Sequence, residues 1–147
     1  MKFQIAQSSL VKLLSAVFLA FTACSCIAEN STSPEKTATL EAQTWLAAID
    51  QGDYAQSWTN AAAYFQSAIT SGKWVEALQQ VRKPLGSLVS RTVKSAQEMS
   101  SLPGAPNGRY IVMQFETSFT NKKAAMETVT FMLEKDGQWR AAGYFIN

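Results

Sequence analysis

Two carboxylates three residues apart, Asp50 and Asp53, sit beside Tyr54 and Trp58 in the stretch "AIDQGDYAQSW". Such a pair could do general acid–base work if one member were desolvated. A plainer reading competes and is preferred. Gly52 stops one helix, and Asp53 begins the next as N-cap, with Gln56 three residues on completing a variant capping box. Asp50 then lies at the negative end of the first helix, where a cationic partner or solvent must compensate it. The sequence contains no histidine, so His triads, His general bases and His metal sites are excluded.

Arg91 and Glu127 are the sharper candidates. In "SLVSRTVKS" strict alternation puts Arg91 on one face with Val89 and Val93. In "METVTFMLEK" it puts Glu127 on one face with Val129, Phe131 and Leu133. Charges among apolar residues are costly unless paired or wet. The two side chains are therefore expected close together on the covered side of a sheet, as a structural ion pair or as the polar spot of a pocket. Trp58, Tyr64 and Tyr110 are the aromatic candidates for lining such a pocket. Arg82-Lys83 ahead of Pro84 reads as cations at a helix C-terminus. An anion clamp built with Arg91 or Arg109 has no support from spacing. No residue is assigned a catalytic role. No metal ligand set and no cofactor is expected, since Gly-rich phosphate loops and nucleophile elbows are missing. The carboxylates Glu116, Glu127, Glu134 and Asp136 have no metal-binding spacing.

The elements that must position these residues follow from periodicity. Ser33-Pro34 opens a helix with serine as N-cap. Ala42, Trp45, Leu46 and Ile49 make its apolar stripe. Tyr54 and Trp58 share a face of the short second helix. Ala61, Tyr64, Phe65, Ala68 and Ile69 follow helical spacing after a cap at Thr59 or Asn60. Trp74, Ala77, Leu78, Val81 and Leu85 make the last stripe, halted at Pro84 and Gly86. The period then becomes two. The second strand, "RYIVMQFETSF", turns Ile111, Met113, Phe115 and Phe119 to one face and Tyr110, Gln114, Glu116 and Ser118 to the other. Turns fall at Leu102–Gly108, at Asn121-Lys122 and at Asp136-Gly137, the last a strong hairpin signal. A fourth strand alternates Trp139, Ala141, Gly143 and Phe145 against Arg140, Ala142, Tyr144 and Ile146. The expected class is α+β, with N-terminal helices packed on a four-stranded antiparallel meander. The four tryptophans, at 45, 58, 74 and 139, are expected in the core or roofing a pocket.

The chain begins with lysines at 2 and 12, an apolar run from Leu13 to Ala23, small residues and then a polar stretch, the order of a secretory signal peptide. Residues 1–28 are read as that leader, 29–36 as a linker and 37–147 as one domain. Cleavage after Ala28 removes both cysteines. Phe21-Thr-Ala-Cys24 also resembles a lipobox, which would make Cys24 a lipidated N-terminus, and a Cys24–Cys26 disulfide would be strained. Two of the 13 basic residues lie in the leader, and without them the body balances its 11 acidic residues. A neutral body gives no electrostatic reason to bind nucleic acid. The expected place is the periplasm or outside the cell, with no transmembrane helix in the mature chain.

The motifs "WLAAIDQGDYAQSW", Trp74, "VRKPLGSLVSR", "LPGAPNGRY" and "ETVTFMLEKDGQWRAAGYFIN" together resemble the small secreted bacterial proteins grouped as domain of unknown function 4019. The resemblance runs from about Ala42 onward and carries no activity with it. The layout is also similar to cystatin-like and nuclear transport factor 2-like folds, which host enzymes, carriers and adaptors alike. The reading that follows is an exported binding or accessory module of the bacterial envelope, with an unknown small ligand or an envelope protein as partner. The alternatives are a pocket enzyme of isomerase or hydratase type using a carboxylate, and a lipid-anchored protein-interaction module.

Overall fold

Ser33 accepts a hydrogen bond from the Lys36 N–H at 3.3 Å, and Pro34 occupies the first turn, so the first helix starts where serine and proline favour it. The computed structural model describes residues 32–147. Residues 1–28, read above as a leader, and with them both cysteines, lie outside the described residues. Helix α1 spans Pro34–Asp50, α2 Tyr54–Thr59, α3 Ala63–Ala68 and α4 Ser71–Arg82, followed by a 3-10 turn at Lys83–Leu85. Strands β1 (Leu88–Met99), β2 (Tyr110–Phe119), β3 (Ala125–Leu133) and β4 (Trp139–Ile146) form one antiparallel sheet in the order β1-β2-β3-β4. The α+β class is as the sequence implies.

Helix α1 buries Ala38, Ala42, Trp45, Leu46 and Ile49, the anticipated stripe extended by one turn. They pack on Ile111, Met113, Phe115, Val129, Phe131 and Ala141 of the sheet. The helix ends on Gly52 at φ +86°, with the Asp53 N–H reaching back to Ala48 O at 2.9 Å. That bond needs a left-handed residue, which glycine supplies without a Cβ clash. Trp45 and Trp74 stack at 6.1 Å between helices and sheet. Their indole N–H groups go to Ser57, Trp45 to its carbonyl at 2.7 Å and Trp74 to its hydroxyl at 2.9 Å. Burying these polar atoms therefore leaves none unpaired.

Several local expectations are corrected. Asp53 is the residue before α2, but its side chain makes no cap hydrogen bond, and Gln56 bonds Asn60 instead of reaching back. The Schellman closure at Gly52 already fixes this corner, so the carboxylate stays in solvent. Helix α3 begins after Ala62, not after Thr59 or Asn60, and the Ala63 N–H is met by Glu134 Oε1 at 2.7 Å. A side chain from the β3–β4 turn thus does the work of a local cap. Helix α4 turns Trp74, Leu78 and Arg82 inward and leaves Val81 exposed.

Three irregularities break the strict alternation. The register of β1 against β2 shifts between Leu88 and Ser90 and again between Val93 and Ser95. Val89 is consequently 58% exposed rather than sharing the covered face with Arg91. On β4, Gly143 pairs Thr130 while Ala141 pairs Phe131, which leaves Ala142 as an extra residue. One extra residue inverts the facing of everything beyond it. Tyr144 therefore joins Trp139 and Ala141 on the helix side, where it meets Trp45 and Trp74 edge-on.

Candidate functional site

Glu127 has no solvent exposure at all. It stands on β3 opposite Phe115, two pairs along from the Thr117–Ala125 pair and on the same face, while Arg91 on β1 lies opposite Thr117. Both strands turn these residues to the helices, and the diagonal reach across β2 suits a long guanidinium. Arg91 donates Nε to Glu127 Oε2 at 2.6 Å and Nη2 to Oε1 at 3.2 Å. The anticipated proximity of Arg91 and Glu127 on the covered face is what the structure shows.

Three further elements converge there. The C-terminal turn of α1 presents Asp50, whose Oδ2 accepts Arg91 Nη1 at 2.7 Å and whose Oδ1 accepts Arg91 Nη2 at 3.0 Å. The last turn of α4 presents Arg82, which donates Nη2 to Asp50 at 2.5 Å and Nη1 to Glu127 at 3.5 Å. The Arg82 guanidinium lies over the Phe119 ring at 4.4 Å, a cation–π placement. Thr117 and Tyr144 donate their hydroxyls to Glu127, each at 2.6 Å. Two guanidiniums thus face two carboxylates, and the quartet is formally neutral. The compensation required by Asp50 at its helix end is supplied by these two arginines.

The electrostatics follow from the geometry. Burial pushes the Glu127 carboxyl up, but hydrogen bonds and charge from Arg91, with Thr117 and Tyr144, outweigh it and hold the group below its ordinary value. Burial pulls Arg91 down, and Asp50 and Glu127 more than reverse it. Burial and then the Glu127 charge push the Tyr144 phenol up. Glu127 receives five donated hydrogen bonds, which fills a carboxylate's accepting capacity of about four lone-pair sites with one long contact to spare. Among the described residues no buried side-chain nitrogen or oxygen lacks a partner. A carboxylate so engaged, and held ionised, has neither a free lone pair nor a proton to offer a substrate. The quartet is a staple joining α1, α4, β1 and β3, with Tyr144 of β4 as its lid.

The other candidates do not gather at this staple. Trp58 is half-buried and donates its indole N–H to Ile69 O at 2.8 Å, tying α2 to the α3–α4 connection. Tyr110 is buried at the far end of β2, its hydroxyl donated to Pro106 O at 2.5 Å. Five residues separate it from Phe115, the partner of Glu127, about 17 Å along a strand. Tyr64 donates to Gly104 O at 2.9 Å and borders a cleft of about 630 Å³ with Pro106, Met132 and Glu134. Arg109 is exposed and paired with Glu98 at 2.6 Å, so it takes no part in a clamp with Arg82. Among the described residues no group of three or more Cys, Asp and Glu side chains could hold a metal ion.

Sequence reasoning missed the parts that Arg82, Thr117 and Tyr144 play at this staple. Arg82 had a signal, because it continues Trp74 and Leu78 at four-residue spacing on one helical face. Tyr144 had only the weak mark of Gly143 inside a strand, a residue that often accompanies a bulge.

A small α+β protein results, whose helices and meander sheet are locked by a neutral buried charge quartet. The family described as Protein of unknown function (DUF4019) matches residues 41–144, and the chain belongs to it. All four members of the staple, Asp50, Arg82, Arg91 and Glu127, and the Thr117 and Tyr144 hydroxyls that bond Glu127, fall within that match. Comparison with curated proteins gives no match.

Proposed function

We propose that the protein is exported and serves as a non-catalytic binding or accessory module of the bacterial envelope, periplasmic or secreted, or held at the membrane through a lipidated Cys24. The order of the first 28 residues supports export. Among the described residues no helix is long and apolar enough to cross a membrane. The likeness to cystatin-like and nuclear transport factor 2-like layouts is supported by helices covering one face of a meander sheet, and it implies no particular chemistry.

The observation that carries the non-catalytic reading is the closed staple. An isomerase or hydratase built on a carboxylate needs that group open to substrate and poised near neutrality. Glu127 is sealed and held ionised instead. Function then belongs to the surface. Cell fractionation with intact-mass measurement tests the address: a chain starting at Glu29 or at a lipidated Cys24 supports it, and a chain retaining Met1 in the cytosol overturns it. Mass spectrometry of small molecules carried through native purification tests the binding role. Turnover of any such molecule, lost in a folded Glu127→Gln variant, would overturn the non-catalytic reading.

A further inference from the structure

The helices cover one face of the sheet, and the other face carries a groove at the β2–β3 end. Its volume is about 650 Å³, and its lining includes Ser90, Thr92, Glu116, Ser118, Lys122 and Lys123. Ser90 pairs Ser118 and Thr92 pairs Glu116 across β1 and β2, so three hydroxyls and one carboxylate lie together on the uncovered face. The carboxylate is already occupied, since Glu116 meets Lys94 at 3.2 Å. Among the described residues neither Lys122 nor Lys123 lies within ion-pair distance of a carboxylate.

The hairpin tip that carries the two lysines is firmly held. The Asn121 N–H bonds Leu85 O at 3.0 Å and its side-chain amide bonds Pro84 O at 3.1 Å. The Thr120 N–H bonds Ser87 O at 2.9 Å, and the Thr120 hydroxyl accepts the Ser87 N–H at 3.1 Å. Gly86, at φ +77°, packs so closely that any Cβ there would collide with the Thr120 hydroxyl. A tip tied down at four points fixes where the backbone presents its two ammonium groups, and it lowers the ordering cost of binding. Two lysines and three hydroxyls lining one groove match an anionic group borne on a polyhydroxylated body: the anion would meet the lysines and the ligand's own hydroxyls would meet Ser90, Thr92 and Ser118.

We propose that this groove is a binding site for a small anionic polyol, a sugar or sugar-like molecule bearing a carboxylate or a phosphate. The proposal deepens the binding-module reading and rests on it. The test is titration of the 15N-labelled exported protein with D-glucuronate, D-glucose 6-phosphate, inorganic phosphate and D-glucose at low salt, followed by amide shifts. The expected result is saturable shifts confined to residues around 90–92 and 116–126 with one or both sugar acids. D-glucose should give none, and affinity should fall about tenfold or more in K122Q/K123Q, the loss expected for charge-assisted bonds. The two sugar acids distinguish carboxylate from phosphate recognition, and inorganic phosphate shows whether the polyol matters. Equal binding of D-glucose, undiminished binding by the double variant, or parallel shifts at the scattered lysines Lys36, Lys73 and Lys135 would each overturn the proposal. Silence everywhere would overturn the groove alone. Shifts centred on Arg91, Glu127 and Tyr144 would overturn the groove and the non-catalytic reading together.

Discussion

Glu127→Gln isolates the staple because it keeps the volume and changes only charge and one acceptor. Glu127 is fully buried and is contacted by Arg91, Arg82, Thr117 and Tyr144. The amide oxygen can still serve Arg91 Nε and Thr117. The amide nitrogen then faces Arg91 Nη2 and Arg82 Nη1, donor against donor. The two guanidiniums are left with Asp50 alone, a net buried charge of one. Breaking a buried pair in this way costs about 3–5 kcal/mol, the scale also given by one charge pair at 4 Å with an effective dielectric near 20, about 4 kcal/mol. Arg91→Met should cost a similar amount for the opposite reason, since both carboxylates would depend on Arg82. The double variant restores neutrality, and its loss should fall short of the sum by about 1–3 kcal/mol. Urea denaturation of the four proteins, with slopes compared, measures this. A Glu127→Gln loss below about 1 kcal/mol at unchanged slope, or strict additivity in the double variant, would show that water reaches the carboxylate. The closed-staple account would then be wrong.

Tyr144→Phe removes one hydroxyl bond to a charged acceptor and should cost about 1.5–3 kcal/mol in the same denaturation assay. Asp53→Ala should change stability by no more than about 0.5 kcal/mol, because the exposed carboxylate makes no cap bond; a loss near 1 kcal/mol would revive the capping box. Stability should depend on pH at both ends. The Glu127 contribution is complete above its ordinary value of 4.5 and is lost as pH falls through the lowered folded value. The Tyr144 contribution is complete below its ordinary value of 10.0 and is lost as pH rises through the raised folded value. Thermal melts across this range should therefore show a plateau between the two, and in Tyr144→Phe the alkaline decline should shrink.

Element order, class and the inner face of the central strands are legible in the residue pattern alone. Period-3.6 and period-2 patterns depend only on which neighbours share a face, and Ala42 to Ile49 and Ile111 to Phe119 obey them. The residue pattern also placed Arg91 and Glu127 together, because charges inserted in apolar alternation have few other solutions. It required a cation for Asp50 from the helix-end field alone, without naming one. Which cations serve it depends on how the elements meet. Arg82 and Arg91 meet Asp50 only when the ends of α1 and α4 come over β1, at sequence separations of 32 and 41 residues. Tertiary structure also decided the facing of Tyr144, because a one-residue bulge at Ala142 inverts a strand without altering its local pattern. The capping box at Asp53 failed for the same kind of reason. A backbone closure at Gly52 and a distant carboxylate, Glu134, took over tasks that local pattern assigned to nearby side chains. Short-range spacing fixes which residues an element can bury. Which polar groups then neutralise one another is a property of distances between elements, and those exist only in the folded chain.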